Sequence, residues 1–174
     1  MSKGGLIWIT GLSGSGKTTI SSELVLILRA NNHHVLHLDG DVVRELFDHD
    51  LGYDRKDRLK NAYRISKLCG LLTSQGALVV CSTISLYHVI HEFNRTVNGN
   101  YLEVFVESDL DELNKRDSKG IYSSHNNLAR REIVGVHIDY EPPLAADLVI
   151  DNTNHKNTPL EISESIISTI KWLK

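Results

Sequence analysis

The sequence predicts an α/β fold, a five-stranded parallel sheet with helices on both faces. Three observations predict it. Short apolar, β-branched runs recur along the chain. Segments with helical apolar spacing lie between them. A glycine-rich loop joins the first run to the first helical segment. Strands that alternate with helices pair in parallel, because each crossover returns the chain in the same direction.

The elements follow in order. Leu6–Thr10, Val35–Asp39, Leu78–Thr83, Leu102–Glu107 and Leu148–Asp151 read as strands, mostly with the continuous apolar character of strands covered on both faces. Thr18–Arg29 carries Ile20, Leu24, Ile27 and Leu28 at helical spacing. Leu59, Ala62, Ile65, Leu68, Cys69 and Leu72 mark a second helix, with Gly76 as a stop. A last helix opens at Thr158-Pro159-Leu160-Glu161, a capping box with proline at the first helical position. Ile162, Ile166, Ile170 and Leu173 then share one face. The polar stretch Lys119–Arg131 stands apart, and a lid over about residues 117–140 is expected there. No linker, repeat or low-complexity tract divides residues 1–174, so one domain is expected.

Composition narrows the class. The chain has 174 residues, a formal net charge of -3 and no basic stripe, so a nucleic-acid polymer is not an expected partner. Apolar runs such as Leu24–Leu28 are too short to cross a bilayer. The start shows no signal-peptide pattern, and only two cysteines, Cys69 and Cys81, sit in apolar segments. A cytoplasmic location is therefore expected.

Gly11-Leu-Ser-Gly-Ser-Gly-Lys17-Thr18 matches G-x-x-x-x-G-K-[ST] in full, between a strand and a helix. The motif is that of the P-loop NTPase fold. Its glycines let backbone N–H groups close on phosphate oxygens. Gly11, Ser13, Gly14, Ser15, Gly16, Lys17, Thr18 and Thr19 are assigned to ATP, with Lys17 at the β- and γ-phosphates and Thr18 at Mg²⁺. The third strand ends in Cys81-Ser82-Thr83 and lacks the usual acid. The obvious source of an acid is the end of the second strand, Asp39-Gly40-Asp41 with Arg44 beyond it. A carboxylate there can coordinate Mg²⁺ or accept a hydroxyl proton. Arg44 can grip an anionic acceptor.

In order along the chain stand G-L-S-G-S-G-K-T-T at Gly11–Thr19, L-D-G-D-x-x-R at Leu38–Arg44 and D-L-G-[aromatic] at Asp50–Tyr53. D-R-x-x-N at Asp57–Asn61, Ile84-Ser85, and R-D-x-K-G-[hydrophobic]-Y at Arg116–Tyr122 complete the set. With these, the run from Gly5 to about Asp151 resembles the adenylyl-sulfate kinase family, which moves the ATP γ-phosphate to the ribose 3′-hydroxyl of adenylyl sulfate. The resemblance implies Asp41 as the catalytic carboxylate near Mg²⁺ and the 3′-hydroxyl, with Asp39 in support. It implies Arg44 and Arg58 at the acceptor's acid group, Asn61 hydrogen-bonded to the acceptor and Tyr53 stacked on its base. Ile84 and Ser85 would line that pocket. Arg116 would lie near the ATP base, and Lys119 would close over the phosphates. The family's Ser85 position has been described as a phosphoserine intermediate; direct in-line transfer needs none. Family members are often dimers, which leaves a homodimer open.

The chain departs from the pattern on the acceptor side. Where the family reads Ile-Ser-Pro-Tyr-Arg with a further arginine, the sequence is Ile84-Ser85-Leu86-Tyr87-His88-Val89-Ile90-His91. The phenylalanine of the family's second clamp, after which a glycine and an isoleucine follow, is replaced by Val136, beside Gly135. Loss of one aromatic face weakens base stacking by about 1–3 kcal/mol. The resemblance extends to kinases that phosphorylate cytidine diphosphoramidate in capsule biosynthesis, whose smaller base would suit a changed clamp. A nucleotide-binding regulatory protein would be expected to have lost Lys17, Asp41 or Arg44, and all three are present. A gluconate-type kinase would not need the D-G-D-x-x-R and D-R-x-x-N pair. The nine histidines do not complete a tetrahedral metal set with cysteines or carboxylates.

Overall fold

The computed structural model describes residues 4–116 and 133–173, without the side chain of residue 116. Five parallel strands run in the order β2-β3-β1-β4-β5: β1 (Gly5–Thr10), β2 (Val35–Asp39), β3 (Leu78–Thr83), β4 (Tyr101–Glu107) and β5 (Leu148–Asp151). The helices are α1 (Lys17–Ala30), α2 (Gly40–Leu46), α3 (Arg55–Ser74), α4 (His88–Val97), α5 (Leu110–Arg116) and α6 (Pro159–Thr169).

Strand alternation divides the core. Ile7 and Ile9 of β1, with Val80 and Val104, pack under α1 and α6 through Ile20, Leu24, Leu28, Ile162 and Ile166. Leu6 and Trp8, with Val79 and Cys81, face Ala62, Ile65, Cys69 and Ile90 on the other side. The inner strands β1, β3 and β4 are buried almost throughout. Strands β2 and β5 are the sheet edges and are only partly covered, so apolar content overstated their burial.

The expected strands and three long helices are present. Helices α2, α4 and α5 are additional to the expected ones; α2 and α5 are only seven residues long, whereas α4 is amphipathic, with Val89, Ile90, Phe93 and Val97 at helical spacing. The buried face of α4 is Ile90, His91 and Asn94, two of them polar. Helix α6 ends at Thr169; Ile170 is its cap, while Leu173 still packs against the core. The register places the carboxyl ends of four strands on one line, with Thr10 opposite Thr83 and Phe105, and Asp39 opposite Ser82. In open parallel sheets that edge is where ligands bind.

Helix α6 starts with the anticipated box: the Thr158 hydroxyl accepts from Glu161 N at 3.2 Å, and Thr158 N donates to Glu161 Oε2 at 2.7 Å. Thr158→Ala should cost about 1 kcal/mol. Thermal denaturation should show a fall in Tm of about 2–4 °C for a chain of this size.

Candidate active site

The loop between β1 and α1 curls because Gly14 and Gly16 take φ values of 79° and 96°, the left-handed region that favours glycine. Gly16 is also the α1 N-cap, and a Cβ on it would stand 2.7 Å from Asn152 Nδ2. That amide donates to Ser15 O at 2.8 Å, pinning the turn after β5 to the loop. Lys17 is nearly buried, and its ammonium donates to Leu12 O at 2.6 Å across its own loop.

Asp39 caps α2 and ties three elements. Its Oδ1 accepts from Asp41 N at 2.9 Å. Its Oδ2 accepts from the Thr18 hydroxyl at 3.1 Å and the Ser82 hydroxyl at 2.8 Å. The carboxylate beside Thr18 is thus Asp39, and Asp41, two residues on in the first turn of α2, lines the same cleft.

That cleft has a volume of about 790 Å³. Ser13, Gly14, Gly16, Lys17, Thr18, Thr19, Asp39 and Asp41 line its phosphate-loop side. Arg44, Tyr53, Arg58, Asn61, Ile84 and Ser85 line the other side. The structure therefore brings most of the sequence-predicted site into one space. Gly11 and Ser15 are not on its surface: Gly11 packs against the Val106 carbonyl and Ser15 is fully buried. Gly135 and Val136 do not line the cleft either. Gly135, at φ 91°, packs on Leu110 and Leu12 at the start of a turn closed by the Val134–Ile138 bridge. Val136 is exposed on that turn, whereas Ile133 and Val134 line the cleft. Lys119 and the segment 117–132 lie outside the described residues, as does the Arg116 side chain.

The acceptor side is braced by its own motif residues. Arg44 Nη1 donates to Leu51 O at 2.8 Å and Gly52 O at 3.0 Å, and its guanidinium lies 4.6 Å from the Tyr53 ring centre. One arm of Arg44 is therefore structural, not free for an anion. Arg58 Nε donates to Tyr53 O at 2.6 Å, and Asp57 Oδ2 accepts from Gly52 N at 2.6 Å. Arg64 pairs with Asp50 through two 2.8 Å bonds, which hold the Asp50 carboxyl below its usual range. Four side chains thus fix residues 50–53 against α2 and α3. Asn61 is buried in the cleft wall, and its carboxamide oxygen has no partner. A buried acceptor left open in this way is explained by a ligand donor.

The two histidines in the places of arginines have structural partners. His88 Nε2–H donates to Pro142 O at 2.9 Å. His91 Nε2–H donates to Ser85 O at 3.2 Å, bracing a serine whose φ is 23°. The Ser85 hydroxyl pairs with that of Thr83 at 2.9 Å. His137 Nδ1 accepts from Ile133 N at 3.2 Å within the turn. Tyr87, His49, His155, Val134 and Asp139 also line the cleft and were not singled out as site residues from sequence. Only position at strand or helix ends could have indicated them.

The fold and this site define a phosphate-loop kinase, an enzyme that transfers phosphate from ATP to a small molecule. Residues 3–151 match the family model described as adenylylsulphate kinase, and the chain belongs to that family of nucleotide kinases. It is 41% identical over 152 residues to the cytidine diphosphoramidate kinase of Campylobacter jejuni, covering 87% of this chain and 88% of the relative. It is 42% identical over 142 residues to the adenylyl-sulfate kinase of Gloeothece citriformis, covering 82% and 81%. The solved Mycobacterium tuberculosis APS kinase in complex with AMPPNP and APS matches with a TM-score of 0.88 at 28% identity, covering 98% of this chain and 99% of that one. Among the described residues, no helix is long and apolar enough to cross a membrane.

Burial lowers the His91 pKa from 6.5 to about 4, outweighing the bond to Ser85 O, which raises it. The folded imidazole therefore stays neutral where the unfolded one gains a proton. Its contribution to stability is full above pH 6.5 and lost as pH falls toward about 4. The stability advantage of wild type over His91→Gln should shrink by about 3 kcal/mol across that window. Urea denaturation of both proteins at pH 7.5, 6, 5 and 4 checks it.

Proposed function

We propose that this enzyme transfers the γ-phosphate of ATP to the ribose 3′-hydroxyl of a nucleotide bearing a small 5′-linked acid group, with cytidine diphosphoramidate as the acceptor. The observation that carries the reading is the single cleft joining the phosphate loop to a wall with an unpartnered buried Asn61 oxygen. Such a wall suits an acceptor that presents a hydroxyl or N–H donor. The preference for cytidine diphosphoramidate rests on the Campylobacter jejuni relative and on the altered acceptor side, where the turn carries Val134 at the cleft and Val136 in place of the family's phenylalanine.

The roles follow from position. Lys17 and the loop amides bind the β- and γ-phosphates. Asp41 takes the proton from the 3′-hydroxyl as its oxygen attacks the γ-phosphorus and ADP leaves. The free arm of Arg44, with Arg58, neutralises the acceptor's acid group. Tyr53 contacts its base; Ile84 and Ser85 shape the pocket. Lys119 and Arg116 are assigned to the phosphates and the ATP base on their motif alone. Residues 1–174 act as one catalytic domain with a lid over 117–140, working in the cytoplasm.

Mg²⁺ fits the donor set. The Thr18 hydroxyl with the carboxylates of Asp39 and Asp41 offers oxygen ligands only, few in number, as this ion takes alongside substrate phosphates and water. When bound it neutralises charge on the transferring group. Ordinary adenylyl-sulfate kinase activity is the second reading, favoured by the Gloeothece citriformis relative.

ADP release from Mg·ATP with cytidine diphosphoramidate, adenylyl sulfate and their 3′-deoxy analogues decides between them. The expected result is a higher kcat/KM with cytidine diphosphoramidate and none with the 3′-deoxy compounds. A preference for adenylyl sulfate selects the second reading, and turnover of no 3′-hydroxyl nucleotide overturns both. Asp41→Ala should lower kcat by about 10²–10⁴-fold, with the Kd for ATP measured without Mg²⁺ unchanged by calorimetry.

A further inference from the structure

Helix α4 buries polar groups where a helix packed on a sheet normally buries an apolar stripe. His91 is 5% exposed and Asn94 is fully buried. His91 Nδ1 and both carboxamide atoms of Asn94 have no hydrogen-bond partner among the described residues. The Trp8 indole N–H has none either, and Trp8 pairs with Glu103 across β1 and β4. The buried Glu103 accepts at Oε2 from the Tyr101 hydroxyl at 2.8 Å, and Arg95 Nη2 lies 3.4 Å from the same oxygen. Glu103 Oε1 stands 4.0 Å from His91 Nδ1, too far for a direct bond.

The other ring nitrogen of His91 is engaged. Nε2 lies 3.2 Å from Ser85 O, and a carbonyl oxygen only accepts, so the single proton of the neutral ring belongs on Nε2. Nδ1 is then a lone pair buried near a carboxylate. One water, donating a proton to Nδ1 and another to Oε1, would bridge the two and hold the ring in this tautomer. Packing does not account for the choice of residue. A leucine would fill the space and leave no orphan acceptor.

The engaged nitrogen points to the purpose. Ser85 lines the acceptor side of the cleft at φ 23°, a strained conformation for a residue other than glycine. Such a conformation persists only where surrounding bonds over-determine it. The Thr10 hydroxyl donates to Ile84 O, the Ser85 and Thr83 hydroxyls pair at 2.9 Å, and Tyr87 N donates to Ser85 O at 3.0 Å. Those groups come from the ends of β1 and β3 and from the turn itself. His91 adds a holder from α4, which packs on α3, the helix that carries Arg58 and Asn61.

We propose that His91 is a positioning residue of the acceptor pocket: the proton on its Nε2 holds the Ser85 carbonyl, and so keeps the strained Ile84–Ser85 wall in register with Arg58 and Asn61. The inference rests on the nucleotide-kinase reading above. It gives a histidine that stands in the place of a family arginine a task in acceptor binding, separate from ATP binding and from packing.

Two variants and one spectrum test it. His91→Leu removes the donor and the orphan acceptor together. His91→Gln keeps a side-chain N–H at the reach of Nε2. Steady-state kinetics with Mg·ATP use whichever of cytidine diphosphoramidate and adenylyl sulfate the wild type turns over better. His91→Leu should raise the acceptor KM about tenfold, the effect of one lost hydrogen bond. The KM for ATP should stay unchanged, and the Tm at pH 7.5 should equal or exceed that of wild type. His91→Gln should bring the acceptor KM back toward the wild-type value. Proton–nitrogen correlation NMR of the wild-type imidazole at pH 7.5 should show the Nε2–H tautomer. An unchanged acceptor KM in His91→Leu, a Tm well below wild type in that variant, no recovery in His91→Gln, or the Nδ1–H tautomer overturns the proposal. Absence of wild-type turnover with both acceptors overturns the kinase reading itself, and is recognised before any variant is compared.

Discussion

The site depends on the carboxylate of Asp39. One side chain receives the hydroxyl of Thr18 from α1, the hydroxyl of Ser82 from β3 and the first free amide of α2. Those three donors belong to the phosphate loop, the central sheet and the helix that carries Asp41 and Arg44. Each hydrogen bond to a charged acceptor is worth about 1.5–3 kcal/mol, but the geometric effect matters more. The phosphate side and the acceptor side cannot drift apart while Asp39 holds both. A Cβ on the adjacent Gly40 would stand 2.8 Å from the Thr83 hydroxyl, so the backbone beside this hub also has little room.

The acceptor side shows the same economy. Motif residues that read as ligand contacts are partly spent on each other. Arg44 holds the carbonyls of Leu51 and Gly52, Asp57 holds the amide of Gly52, and Arg58 holds the carbonyl of Tyr53. The tight spacing of those motifs reflects a loop that must be rigid before it can bind. Preorganised contacts of this kind reduce the ordering cost of binding.

Much of this was legible in the sequence, for physical reasons. The inner strands are apolar on both faces, so β1, β3 and β4 stand out. The phosphate loop announces itself because only glycine tolerates its backbone. The acceptor motifs lie where their strands and helices were expected. What was not legible depends on partners distant along the chain. The role of Asp39 as a three-way acceptor needs Ser82, 43 residues later. Helix α4 buries His91 and Asn94 beside Ile90, and its apolar residues do not announce those polar partners. Val136 was expected at the acceptor, but the turn closed on the Ile133 carbonyl leaves it exposed and puts Ile133 and Val134 at the cleft.

The bond from Asn152 to Ser15 links residues 137 apart in sequence. Gly16 lies so close to the same amide that loop and turn form one packed unit. The phosphate loop follows β1, yet part of its support comes from the turn after β5, at the edge of the sheet. Closing a loop over that span costs entropy that grows with its length. The shape of the phosphate loop is therefore a property of the assembled sheet and not of the glycine-rich segment alone.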